Sequence, residues 1–204
     1  GGREMSRGQH ELRQVQGDAG AVPEVEGRGL KMRLFVAIAF PEAVKDGLEA
    51  GIRALRKQGV RASWSRRENL HLTLEFLGEL DSPKPVITAM EQVQAAPFSL
   101  EFAPSGRFRR REGDIFWLGI RPNGALMELQ KQLHSALKAQ GLELESRPYR
   151  PHLTLARRLR DHGESVFPEP LPPAVQVSEF LLMRSERTPK GMRYTPLYRK
   201  KLEG

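Results

Sequence analysis

The sequence predicts an α+β protein with two pseudo-symmetric lobes, each an antiparallel sheet with helices on the outside, and a cleft between the lobes. Apolar strands and amphipathic helices follow one another without a regular β-α alternation, so a parallel dinucleotide-binding sheet is not expected. The tetrapeptide His-Leu-Thr-Leu occurs once in each half of the chain. This repeat indicates that the two halves share one structural theme.

The first half of the chain predicts four strands and two helices. The first helix has a proline at its start, where a missing N–H is tolerated, and a glycine past its end. In chain order the segments are a strand over 33–39, a helix from Pro41 to Gly59, a strand over 69–77, a helix over 81–95, and strands over 98–103 and 115–120.

The second half predicts one helix and three strands. Asn123 can cap a helix whose leucines recur at helical spacing, and Gly141 can end it. A proline-rich loop and a turn separate the later segments. These segments are a strand over 151–155, a loop over 167–173, and strands over 175–184 and 194–202 around a turn at 189–191.

Composition limits the classes of protein and of site. The chain of 204 residues has no cysteine, which excludes disulfides, zinc–thiolate sites and cysteine nucleophiles and fits a reducing cytoplasm. No apolar run is long enough to span a bilayer. Residues 1–31 are polar and without periodicity, which predicts a disordered leader, and residues 32–204 predict one bilobal domain that acts as a monomer.

The charge of the predicted domain favours polyanionic partners. Residues 1–31 carry five basic and five acidic side chains, so the formal net charge of +8 resides on residues 32–204. A basic folded body attracts phosphate-rich molecules such as RNA.

The two copies of His-Leu-Thr-Leu, 71–74 and 152–155, carry the candidate chemistry. In a strand, residues i and i+2 share one face, so each histidine lies beside a threonine while the leucines pack behind. If the lobes face each other, two imidazoles and two hydroxyls converge. Two histidines near their ordinary pKa of about 6.5 can hold opposite protonation states, one as acid and one as base. The threonine hydroxyls, of Thr73 and Thr154, can donate to phosphate oxygens.

A metal site is the main chemical alternative for two histidines. Neither copy has a carboxylate at i+2, where threonine stands instead, and paired-ligand spacings such as His-x-x-x-His are absent. The sequence therefore predicts no metal and no cofactor.

The chain resembles the two-histidine (2H) phosphoesterases, and among them the RNA 2',3'-cyclic phosphodiesterases, also described as 2'-5' RNA ligases. The resemblance spans residues 32 to about 202. It rests on the opening strand, on both histidine motifs and on Trp64, with 115–119 and the closing Ser185, Gly191 and Tyr194 also fitting; the most specific piece is 147–157. The charged stretch 107–114 departs from the family pattern.

The resemblance implies roles for five residues. His71 would be the proton donor and His152 the proton acceptor, while Thr73, Thr154 and Arg157 would bind the phosphate. The implied substrate is an RNA with a 2',3'-cyclic phosphate end, with tRNA fragments as one candidate source, and the implied product is a 2'-phosphomonoester. Ligation of 2'-5' ends is the same reaction run in reverse.

Two alternatives remain at this stage. One is a cyclic phosphodiesterase for a small nucleotide, such as a cyclic ADP-ribose phosphate; the net charge favours RNA. The other is a non-catalytic RNA-binding module, which would not require two matched histidines.

Other polar and aromatic residues are assigned structural or surface positions. His134 and His162 are expected on the surface. The arginines around Arg107 could follow an RNA backbone or form a solvated charge run. Tyr149 and Phe76 could stack on a base, but packing is the preferred interpretation.

Overall fold

The computed structural model describes residues 31–204, which form three helices and ten strands. The helices are Glu42–Lys57 (α1), Lys84–Gln92 (α2) and Gly124–Ala139 (α3), and a 3-10 turn covers Arg67–Asn69. The strands are Met32–Ala39 (β1), Arg61–Trp64 (β2), His71–Leu80 (β3), Phe98–Leu100 (β4), Phe102–Phe108 (β5), Asp114–Ile120 (β6), His152–Arg160 (β7), Val175–Val177 (β8), Glu179–Thr188 (β9) and Gly191–Lys201 (β10).

Two four-stranded antiparallel sheets form the body of the protein. Their strand orders are β10-β9-β1-β3 and β2-β7-β6-β5, and β4 pairs with β8 in a separate two-stranded sheet. Each large sheet contains one His-Leu-Thr-Leu motif: β3 lies at an edge of the first sheet, and β7 lies inside the second. The predicted α+β class with antiparallel sheets is confirmed.

The predicted helix with the leucine face is confirmed as α3. Its four inward leucines are fully buried, and the Asn123 side chain accepts a hydrogen bond of 3.0 Å from the Leu126 N–H. This bond satisfies one of the donors that a helix leaves unpaired at its start. Gly141 follows with φ of 82°, a conformation that glycine adopts without strain. The inward leucines are Leu126, Leu129, Leu133 and Leu137.

Two predicted strands each consist of two strands that belong to different sheets. The segment 98–103 changes sheets at Glu101: Leu100 pairs with Val175, while Phe102 pairs with Ile120. The segment 175–184 is interrupted at Ser178, whose carbonyl accepts from the Leu202 N–H at 2.8 Å. Both errors have one cause, because a continuous apolar pattern does not reveal where a chain changes its pairing partner.

Other boundaries also differ from the prediction, and one strand was missed. α2 ends at Gln92 instead of about Ala95, and β3 begins at His71 because Asn69 belongs to the 3-10 turn. β2 is only four residues long, too short for its polar–apolar alternation to identify a strand; its pairing with β7 defines it.

Within residues 31–204, no helix combines the length and the apolarity that crossing a membrane would require. Apart from Lys31, the predicted leader lies outside the described residues.

Candidate active site

One cavity of about 1120 Å³ receives side chains from both motifs. His71 and Thr73 line it from β3, and His152, Thr154 and Arg157 line it from β7. The two strands approach within 8 Å, Cα to Cα. The structure thus brings together all five site residues named from the sequence.

The alternation of the two strands separates the cleft from the core as expected. Leu72, Leu74, Leu153 and Leu155 are at most 2% exposed, whereas the histidines and threonines are only partly buried. The leucines therefore anchor each strand in the core, and the strands hold the polar groups at the cavity wall.

A β-bulge lies at the same place in both motifs. In β3 the pairing with β1 runs from Thr73 to Glu75 and passes over Leu74; in β7 the pairing with β6 passes over Leu155 in the same way. A regular strand would place the fifth residue after each histidine on the opposite face, but the extra residue reverses the alternation. Phe76 and Arg157 therefore line the cavity together with the histidines.

A side-chain hydroxyl hydrogen-bonds to the backbone beside each bulge. The Tyr149 hydroxyl donates to the Thr73 carbonyl at 2.7 Å, and the Ser65 hydroxyl donates to the Thr154 carbonyl at 3.1 Å. A bulge disrupts the ladder and leaves backbone groups without a strand partner. These two bonds therefore hold both threonines in place, by different elements of the fold.

Each histidine is oriented by a backbone carbonyl two residues before it. His71 Nδ1 lies 2.6 Å from the Asn69 carbonyl, and His152 Nδ1 lies 2.6 Å from the Arg150 carbonyl. A carbonyl only accepts, so Nδ1 carries the proton and donates it. This fixes the tautomer and leaves Nε2 of each ring as the nitrogen that can exchange a proton. His71 Nε2 lies 3.0 Å from the Thr73 hydroxyl oxygen.

Aromatic rings pack against both imidazoles. The centroids of Phe35 and Tyr194 lie 4.8 and 5.2 Å from that of His71. The ring centroids of Phe108 and Trp117 lie 4.9 and 6.3 Å from that of His152. These contacts limit the rotation of each ring and exclude water from one side of it.

Burial makes both histidines weaker bases than expected. It lowers the pKa of His71 from 6.5 to about 4, with a further decrease from the Arg157 charge and an opposing effect of the Asn69 carbonyl. Burial also lowers the pKa of His152, opposed by the Arg150 carbonyl and assisted by the charges of Arg150 and Arg157. The expectation of two imidazoles near pKa 6.5 is therefore wrong, because their partial burial disfavours the charged form.

The charged side chains of the cavity wall are mostly basic. Its lining includes six cationic side chains but only two carboxylates, those of Glu75 and Glu145. Such a lining attracts phosphate groups and raises the concentration of anionic substrates near the histidines. The cationic residues are Arg66, Arg110, Arg147, Arg150, Arg157 and Lys190.

Three expectations about other residues are wrong. Arg107 does not face a ligand: it is about 10% exposed and forms ion pairs with Asp161 at 2.6 Å and Asp114 at 3.4 Å. Phe76 is not packed, since 66% of it is exposed. His134 is not a plain surface residue, because its Nδ1 hydrogen-bonds to Glu75. The packing interpretation holds for Tyr149.

These residues carried no usable signal in the sequence. Arg107 lies 54 positions from Asp161, and Glu75 lies 59 positions from His134.

No described residue belongs to a group of three or more histidine, aspartate or glutamate side chains placed to hold a metal ion. Both Nδ1 atoms of the motif histidines are engaged with carbonyls, and no carboxylate bonds to either ring within residues 31–204.

The chain is similar to proteins of one family. A family model described as the 2'-5' RNA ligase superfamily matches residues 44–189. An RNA 2',3'-cyclic phosphodiesterase of Thermotoga maritima is 36% identical over 182 residues, covering 85% of this chain and 97% of that protein. The protein of the same name from Escherichia coli K12 is 33% identical over 175 residues, covering 82% and 94%. Among solved structures, E. coli LigT complexed with 3'-AMP has a TM-score of 0.70 at 30% identity, covering 86% of this chain and all of that one.

Proposed function

The chain belongs to the 2'-5' RNA ligase superfamily, and we propose that it hydrolyses 2',3'-cyclic phosphate ends of RNA to 2'-phosphomonoesters without a metal ion. The names of the relatives support the cyclic phosphodiesterase activity. The observation that carries the proposal is the pair of imidazoles in one cavity, each with Nδ1 held by a carbonyl and Nε2 available. Such a pair can supply one acid and one base to a single reaction.

In the proposed mechanism, His152 is the base and His71 the acid. Water attacks phosphorus while His152 Nε2 takes its proton. The bond between phosphorus and the ribose 3'-oxygen breaks, and His71 Nε2 gives a proton to that oxygen. The phosphate remains on the 2'-oxygen, and the two histidines have exchanged their protonation states.

Three further side chains of the cleft would stabilise the reacting phosphate. The hydroxyls of Thr73 and Thr154 can donate to its non-bridging oxygens, where negative charge increases in the transition state. Arg157 supplies a fixed positive charge whose influence reaches both imidazoles. Because Phe76 occupies the equivalent place in the other motif, the charge lies on one side of the cleft and would orient the substrate.

The basic wall supports RNA as the substrate. A polyanion with several phosphates gains from a lining in which cations outnumber carboxylates. A small cyclic nucleotide is the second candidate, since the cavity volume of about 1120 Å³ would also accommodate one. The reverse 2'-5' ligation would use the same groups, although water in excess favours hydrolysis.

The direct test is incubation of the protein with an RNA that ends in a 2',3'-cyclic phosphate, in excess chelator, followed by mapping of the product phosphate. We expect turnover and a 2'-phosphate. Loss of activity in chelator that a divalent ion restores would refute the metal-free mechanism. Turnover of small cyclic nucleotides but not of RNA would favour the second candidate.

We predict that kcat/KM reaches its maximum below pH 6.5 and falls as the pH rises further. The reason is that the pair must hold one proton, while burial lowers both pKa values in the free protein, that of His71 to about 4. The bound phosphate anion stabilises an imidazolium, so the alkaline limb of kcat should lie at higher pH than that of kcat/KM. Both profiles should be measured from pH 4 to 9. An alkaline limb of kcat/KM above pH 7 would contradict this prediction.

We predict that Arg157→Ala lowers kcat/KM by roughly 10- to 100-fold, the range for one hydrogen bond to a charged group. Arg157 is exposed, so its removal should not unfold the protein. Steady-state kinetics on the RNA substrate measure the effect. The matched control is Arg160→Ala, an exposed arginine of the same strand whose guanidinium contacts the Glu112 carbonyl. If both variants had equal kinetics, Arg157 would not be a substrate-binding residue.

A further inference from the structure

A second polar cluster, formed by Glu75 of β3 and by Gln130 and His134 of α3, lines the same cavity. Glu75 Oε1 accepts hydrogen bonds from two side chains of α3, Gln130 Nε2 at 2.9 Å and His134 Nδ1. All three residues line the cavity that contains the motif histidines. Glu75 lies past the bulge, two residues after Thr73, and two residues span about 7 Å along a strand.

The placement of a carboxylate here needs an explanation. Glu75 is only 8% exposed, and burial raises its pKa, although the contacts with His134 and Gln130 act in the opposite direction. The equivalent position in the other motif is Ala156, so the fold itself does not require an acid. A carboxylate beside the phosphodiester would repel it. A carboxylate that faces another part of the substrate, one that carries N–H donors, can instead attract those donors.

The hydrogen bonds of the cluster leave acceptor atoms for a ligand. Gln130 turns its amide nitrogen to the carboxylate, which leaves its oxygen as an acceptor and one N–H as a donor. Glu75 Oε2 receives no hydrogen bond within residues 31–204 and is not fully buried, and Glu75 lines the cavity, so this oxygen can accept from a ligand there.

We infer that Glu75, Gln130 and His134 form a subsite for the exocyclic amino group of the terminal base, so that the enzyme prefers amino bases to keto bases. This inference rests on the proposed function. The distance of about 7 Å from Thr73 to Glu75 along β3 is comparable to the span from the cyclic phosphate to the base of one nucleoside. Cytosine presents an amino group where uracil presents a carbonyl oxygen, which the carboxylate repels.

The flanking residues suit a base at this place. Phe76 follows Glu75, lines the cavity and is 66% exposed, so its ring offers a flat apolar surface. Tyr149 is held by its hydrogen bond to the Thr73 carbonyl and also lines the cavity. The cavity therefore offers the charge of Arg157 near the histidines and the acceptors of the cluster about 7 Å farther along β3.

The test compares RNAs that differ only in the terminal base, in two pairs: cytidine against uridine, and adenosine against inosine. Both pairs exchange an amino group for a carbonyl oxygen. The wild-type protein should hydrolyse the amino member of each pair with a kcat/KM roughly tenfold higher or more, the usual effect of one charge-assisted hydrogen bond. Equal values within both pairs would overturn the inference without any variant.

Glu75→Gln should bring the two members of each pair within about threefold of each other, because an amide can also donate to a keto oxygen. The control is Glu145→Gln, which removes the same charge from an exposed residue of the cavity and should leave the ratios as in the wild type. An equal loss on all four RNAs by Glu75→Gln would overturn the inference, since it would indicate a structural role. If the wild type hydrolyses none of the four RNAs, the proposed function fails; if it hydrolyses all four equally, only the subsite fails.

Discussion

Replacing His152 with alanine is expected to lower the rate of cyclic phosphate hydrolysis by about 10²- to 10⁴-fold, the usual contribution of one acid–base group. The attacking water must lose a proton, and His152 Nε2 is the nitrogen left available when Nδ1 donates to the Arg150 carbonyl. Neutral imidazole is present over a wide pH range because burial lowers the pKa of His152. Single-turnover kinetics on a cyclic-phosphate RNA would measure the loss at the chemical step.

The control for His152→Ala is a histidine outside the cleft. His162→Asn replaces an exposed histidine with φ of 59°, a conformation that asparagine tolerates, and it should leave the rate unchanged. Circular dichroism should show the same fold for both variants. Retention of more than one tenth of the rate by His152→Ala would contradict its assignment as the base.

Local sequence patterns were sufficient to predict the strands and the helix that position the site. The alternation in the two His-Leu-Thr-Leu segments assigned the leucines to the core and the histidines to one face, because the side-chain period of a strand is two. The repeat then predicted that both histidines share a cleft, as the structure places them. For α3, four leucines at helical spacing with a capping asparagine and a terminal glycine fixed both ends.

Properties that depend on distant parts of the chain could not be predicted. The bulges at Leu74 and Leu155 come from pairing with β1 and β6, and they bring Phe76 and Arg157 to the cleft against the simple alternation. Arg157 was named only through a family resemblance. The low pKa values of the histidines depend on burial in the assembled cavity, which no local pattern encodes.

The contact between Glu75 and α3 also depends on distant parts of the chain. A glutamate after His-Leu-Thr-Leu indicates nothing about its partner, because β3 and α3 are far apart in sequence and meet only when the helix packs at the sheet edge. The two motifs are alike in sequence and in backbone. Their chemical difference comes from the two residues after each motif, Glu75-Phe76 against Ala156-Arg157.

His71→Ala is expected to lower the rate on RNA ends by a similar 10²- to 10⁴-fold, but the cause should differ from that in His152→Ala. In the proposed mechanism His71 protonates the departing 3'-oxygen, which leaves poorly as an alkoxide. A phosphodiester with a nitrophenolate leaving group does not need this proton. On such a substrate His71→Ala should therefore lie within about tenfold of the wild type, whereas His152→Ala should remain strongly impaired because water still needs a base.

The comparison of both variants on both substrates assigns the two roles separately. Each histidine has the same carbonyl-held Nδ1 and the same aromatic packing, so the geometry alone allows either direction of proton transfer. Burial lowers the pKa of His71 to about 4, so its imidazolium forms near neutral pH only when the bound phosphate anion stabilises it. Rescue of His152→Ala in place of His71→Ala would reverse the assignment. Full activity of either variant on RNA would refute the two-histidine mechanism.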